Sequence, residues 1–138
     1  MISVDDYLTF WRVHYPDAEV PDDELTDEMR RDAQATVDCA NQLLAEFGED
    51  RLLASGWRPR AVNACVPGAA LGSNHVLCRA VDIADPGNAL DRWITAHSEI
   101  LDELGLWRES PNRTAGWVHI QIVQNRSWEP GKSRTYLP

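Results

Sequence analysis

Positive charge is scarce in this chain. The 13 Lys and Arg face 22 Asp and Glu, which leaves a formal net charge of -9 and a sequence pI near 4.7. Phosphate binding draws on clustered Lys and Arg, so no nucleic-acid partner is expected. Long hydrophobic runs are missing as well. No stretch approaches the roughly 20 apolar residues of a membrane span, and no basic-then-apolar leader opens the chain. The expectation is a soluble protein with no membrane insertion and no signal peptide. Cysteine is sparse and odd in number. Cys39, Cys65 and Cys78 fall at no paired spacing, which excludes a disulfide framework and makes them reduced, mostly buried thiols. Repeats and low-complexity segments do not occur.

What is present suffices for a core. With 138 residues and 43% hydrophobic composition, residues 1–138 are expected to form one domain: N-terminal helices over 1–48, a central core over 51–123 and a tail over 124–138. Residues 3–15 begin with Ser3 as a plausible N-cap and carry Val4, Tyr7, Leu8, Trp11 and Tyr15 at helical spacing. His14 sits at the helix end, before an acidic, proline-bearing loop. Thr26 caps a second helix, with Asp27 and Glu28 at its positive end and a stripe of Met29, Ala33, Thr36, Val37, Ala40, Leu44 and Phe47; Gly48 suits its C-terminus. Residues 51–57 read as a strand and 58–74 as a loop. A third helix spans about 88–104, with His97 on its apolar stripe and so expected to be a hydrogen-bonded core histidine. Residues 106–107 start a further strand, 108–115 form a polar connection, and the tail is either an irregular flap or a short closing strand.

Chemistry concentrates in two strands. Along residues 79–84, Asp82 points away from the face that buries Val81 and Ile83. Along residues 116–123, Val118, Ile120 and Ile122 share one face, while Trp117, His119 and Gln121 share the other. Side by side in a sheet, the strands aim Asp82 and His119 into one cleft, with His75 arriving on the loop before the first. Two imidazoles and one carboxylate form a ligand set that Zn2+ accepts with one position left open.

These residues resemble a known pattern. Ser73-x-His75, six residues, Ala80-x-Asp82-Ile83 and then Trp117-x-His119 look like the zinc-ligand pattern of the D-alanyl-D-alanine carboxypeptidase and L-alanyl-D-glutamate endopeptidase family, whose fold is shared with the hedgehog signalling domain. Ser55-Gly56-Trp57-Arg58-Pro59 with Asn63 resembles the family's upstream segment, and the likeness covers about half of the chain. It implies an α+β fold, a small antiparallel sheet with helices packed on it. It also implies His75, Asp82 and His119 as zinc ligands and Arg58 as the positive group near the substrate carbonyl. Ser73, Trp117 and Gln121 are the expected substrate-binding residues, although Trp117 is equally readable as core and Gln121 as a group that orients a ligand.

The chain departs from the pattern twice. Cys78 stands where glycine is often found between the first two ligands, which bears on loop packing. Thr114, Ala115, Gly116 and Trp117 occupy the positions before the last histidine where many members carry an acidic general base. Glu109 is the leading candidate for that role, with the 108–115 loop folding back over the metal, and Asp85 is second.

The resemblance implies hydrolysis of an amide bond in the peptidoglycan stem peptide. A phage endolysin or tail-associated lysin is expected, located in the host cytoplasm or the virion, acting on the bacterial cell wall and meeting other virion proteins as further partners. The competing reading is a catalytically silent zinc-binding virion or cell-wall-binding module, motivated by the missing acid. A third treats the three polar residues as ordinary members of a sheet that binds no metal.

Overall fold

The computed structural model describes all of residues 1–138. The N-terminal helix forms in two pieces, α1 (Val4–Thr9) and α2 (Trp11–His14), with the Ser3 hydroxyl accepting from Asp6 N at 3.0 Å. The second helix, α3 (Asp27–Phe47), matches its sequence signals closely. The Thr26 hydroxyl accepts from Met29 N, and Gly48 ends the helix at φ 89, the left-handed conformation that glycine adopts without penalty. Leu43 joins its buried stripe, and Phe47 is half-buried against the edge of Trp93.

Five strands form one sheet in the order β1-β2-β4-β3-β5: β1 (Leu53–Ser55), β2 (Ala80–Ala84), β3 (Trp107–Glu109), β4 (Trp117–Gln121) and β5 (Thr135–Tyr136). Four pair antiparallel, and β5 joins β3 in parallel. The tail therefore supplies a closing strand. Val81, Ile83, Val118 and Ile120 face the helices and merge with Tyr7, Ala33, Val37, Leu43, Leu90, Ile94 and Leu101 in a single core. This burial, at about 25 cal/mol per Å² of apolar surface, fixes which face of each strand is left for the cleft.

Several expectations are corrected. The first strand is shorter than residues 51–57, and a register irregularity between Leu53 and Ser55 bends it beside Asp82. The 58–74 loop contains a helical turn, α4 (Arg60–Asn63). The third helix breaks in two, α5 (Ala89–Ala96) and α6 (Glu99–Leu104). His97 lies at the break, and counting 3.6 residues per turn through it misplaces that side chain. His97 is exposed, stacked on Trp93 at 4.8 Å, with Nδ1 bonded to the Trp93 carbonyl, while Ile100 and Leu101 re-enter the core. The thiols are not mostly buried either: Cys78 is buried, Cys39 half-buried and Cys65 exposed at the end of α4. Cys78 adopts φ 62, a conformation in which an L side chain is strained and glycine is not, so the glycine expected there has a backbone reason. No helix is long and apolar enough to cross a membrane.

Two ties fix the loop that delivers His75. The Thr36 hydroxyl donates to the Cys78 carbonyl at 2.8 Å, and Arg79 Nε donates to Asp32 at 2.8 Å, both anchoring the start of β2 to α3. Tyr7, fully buried, holds the other side: its hydroxyl donates to the Ala80 carbonyl and its own carbonyl accepts from Trp57 N.

Candidate metal centre

The register of β2 on β4 sets Asp82 directly opposite His119 on the face turned away from the core. His75, fully buried, enters from the loop. One donor atom from each of the three residues lies within 4.8 Å of the others. His75 Nε2 is 3.2 Å from Asp82 Oδ1, and His119 Nδ1 is 2.8 Å from that same oxygen.

Neighbouring groups decide which nitrogens carry protons. The Gly56 carbonyl, 2.8 Å from His75 Nδ1, can only accept, so Nδ1 is protonated and the lone pair of the neutral ring sits on Nε2, toward Asp82. On the other ring, Nε2 meets the side-chain oxygen of Gln121 at 3.0 Å, which leaves the lone pair on Nδ1, again toward Asp82. Three electron-rich atoms thus converge. With both rings neutral, this two-nitrogen, one-oxygen donor set, backed by a carbonyl and an amide, fits a zinc ion.

The proton equilibria register the same crowding. Burial opposes the Asp82 carboxylate, yet the imidazoles of His75 and His119 hold its pKa well below the usual carboxylate range. Burial pulls the His75 pKa down even though Asp82 acts the other way. Burial also lowers His119, but its hydrogen bonds to Asp82 and Gln121 outweigh that and leave it raised.

Gly56 is the point where this arrangement tolerates no side chain. A Cβ there would run into the Tyr7 carbonyl. Gly56→Ala is therefore expected to cost about 1–3 kcal/mol in denaturant unfolding and to weaken metal retention on dialysis against a chelator, because the displaced carbonyl no longer fixes the His75 tautomer. Unchanged unfolding and unchanged retention would remove Gly56 from the site's support.

The cleft around these residues has a volume of about 650 Å³. Arg58, Ser73, Glu109, Trp117 and Gln121 all line it, so the expected residues are brought together. Glu109 arrives on β3 rather than on a folded-back loop. The pairing of Trp107 with Gln121 and Arg108 with Ile120, carried one residue further, sets Glu109 across from His119. Burial, then the nearby Asp82 charge, raise its pKa against the opposing pull of His119. Arg58 forms no ion pair with the acids around it, and its buried Nε has no partner; burial lowers its pKa. Trp117 is 36% exposed, a cleft wall and not core.

Asp85 lies outside this cleft. It is buried, and its two carboxylate oxygens accept from Leu90 N and Asp91 N at the start of α5, so it serves as a helix cap. Gln121 is buried, with its side-chain oxygen facing His119 Nε2 and its amide nitrogen donating to the Val123 carbonyl, so it is placed to orient His119. Sequence reasoning missed Tyr136 and residues 124–126, which also line the cleft. A lone tyrosine near the end of a polar tail carries no periodic signal; only the β3–β5 pairing brings it in.

The α+β frame brings two imidazoles and a carboxylate, a group that could hold a metal ion, together in one cleft. The model of the family described as peptidase M15 matches residues 18–121, about three quarters of the chain, and the chain belongs to that family of zinc peptidases, the D-alanyl-D-alanine carboxypeptidase and endopeptidase type. No match was found among the curated proteins or the solved structures.

Proposed function

We propose that this chain is a zinc-dependent peptidase that cleaves an amide bond in the peptidoglycan stem peptide, with His75, Asp82 and His119 holding the ion. The observation that carries this reading is the convergence of His75 Nε2, Asp82 Oδ1 and His119 Nδ1, with both imidazole tautomers fixed from behind. When bound, zinc supplies the Lewis acidity for amide hydrolysis, polarising the carbonyl and making water acidic enough to react near neutral pH.

The chain's own side chains divide the remaining work. Glu109, its carboxylate made more basic by burial, takes the proton from the attacking water and returns it to the leaving amine. Arg58 offers unpaired guanidinium donors to the oxygen on which negative charge develops. Trp117 forms a wall against which an extended peptide lies, and Ser73 also lines the cleft. The Ser73 hydroxyl also accepts from His75 N at 3.3 Å, so it steadies the histidine loop. An acid is present in the cleft, which supplies what the silent-module reading was based on lacking.

The test is release of new amino groups from purified sacculi by the zinc-loaded protein. Release that a chelator abolishes and zinc restores is the expected result. No release under conditions where a control lysin digests the same sacculi would contradict the peptidoglycan assignment. A lysin role in a phage setting is the narrower form of this proposal. It predicts loss of turbidity when the protein is added to cells whose outer membrane has been permeabilised, and intact cells after prolonged exposure would count against it.

A further inference from the structure

Residues after Gln121 lie beyond the stretch matched by the family model, yet the chain returns to the cleft at its C-terminal strand. That return is firmly held. The Arg134 guanidinium stacks over Trp107 at 4.2 Å and over Trp128 at 5.1 Å, and its Nε donates to Asp102 at 2.8 Å. Backbone bonds from Arg108 N to the Arg134 carbonyl and from Ser110 N to the Tyr136 carbonyl, 2.8 and 2.7 Å, lock β5 onto β3.

So placed, the Tyr136 hydroxyl donates to Gln121 Oε1 at 2.8 Å. The same oxygen accepts from His119 Nε2 at 3.0 Å, and Gln121 Nε2 donates to the Val123 carbonyl at 2.8 Å. The opposite amide orientation would set Gln121 Oε1 against the Val123 carbonyl, two acceptors face to face, and is excluded. The amide therefore has one orientation, with two donors on its oxygen.

We propose that Tyr136 is a positioning residue of the metal centre: through Gln121 it holds His119 in the tautomer that presents Nδ1 to the ion, so the C-terminal strand sets metal affinity. This rests on the zinc reading above. The side chain is suited to the task because burial, then the Glu109 and Asp82 charges, push its pKa up and keep it a donor at any working pH. Outer partners of a ligating histidine typically change metal affinity 10- to 100-fold when removed.

Zinc dissociation constants measured by competition with a chromogenic chelator test this, together with unfolding of the zinc-free forms. Tyr136→Phe should bind zinc roughly tenfold more weakly than the wild type while its zinc-free stability is nearly unchanged. Gln121→Leu should be weaker by about 10- to 100-fold. Because Tyr136 acts through Gln121, the double variant should bind no more weakly than Gln121→Leu alone. Wild-type affinity in Tyr136→Phe, or full additivity in the double variant, would overturn the inference while leaving the zinc reading intact. A lowered zinc-free stability with unchanged affinity would make Tyr136 merely structural. A wild-type chain that binds no zinc would overturn both.

Discussion

Glu109→Gln should lower turnover about 10²- to 10⁴-fold with the zinc content unchanged. The replacement keeps the size and hydrogen-bonding reach of the side chain and removes only its ability to take a proton. Glu109 stands across the β3–β4 pair from His119, on the cleft face, whereas the Asp85 carboxylate is turned to the start of α5. A comparison variant sharpens the result. Asp85→Asn should lose stability through the weakened cap on α5, while whatever remains folded keeps its rate. Full activity in Glu109→Gln would move proton transfer to another group, and loss of zinc would make Glu109 a ligand instead.

The second large effect is on stability. On the core side of β3, Arg108 and Asp91 form an ion pair at 3.4 Å with side chains only 4% and 3% exposed. Arg108 also donates to the Asp91 carbonyl at 2.9 Å and to the Thr95 and Thr135 hydroxyls. Arg108→Met strands the Asp91 carboxylate in the interior and should cost about 3–5 kcal/mol, enough to unfold a marginal domain. Replacing both residues, as in Asp91→Leu with Arg108→Met, should recover most of that loss, because the penalty belongs to the unpaired charge. If the double variant is no more stable than the single one, packing rather than charge dominates.

The same pair has a pH signature. Burial raises the Asp91 pKa to about 6 in spite of Arg108, above the value of about 3.9 for a free aspartate. The folded chain binds this proton more tightly than the unfolded chain. Its stabilising contribution is therefore full below about pH 4 and is lost as pH rises through 6. Lowering the pH from about 7 to 4.5 should shift the stability difference between zinc-free wild type and Asp91→Asn toward the wild type. A difference that does not change with pH would mean that Asp91 titrates like an exposed carboxylate.

Much of the site could be read from the sequence because strand alternation has a period of two. Once Val81, Ile83, Val118 and Ile120 go inward, Asp82 and His119 must go outward, and the antiparallel register brings them face to face. The ends of α3 were equally readable, since Thr26 and Gly48 act through local hydrogen bonds and backbone conformation. What stayed hidden depends on long-range contacts. The Gly56 carbonyl supports His75 only because Tyr7 crosses behind it, and Tyr136 reaches Gln121 only after the tail has paired with β3. Arg108 and Asp91 look like solvated charges until the fold buries them together. His97 went astray because a break in the helix resets the periodicity that seemed to bury it.

Elemental analysis of purified wild-type protein beside His75→Ala and His119→Ala tests the central claim most directly. About one zinc per wild-type chain and close to none in either variant is the expected result, with both variants still folded by circular dichroism. Wild-type protein without zinc, or variants that keep it, would contradict the site as described.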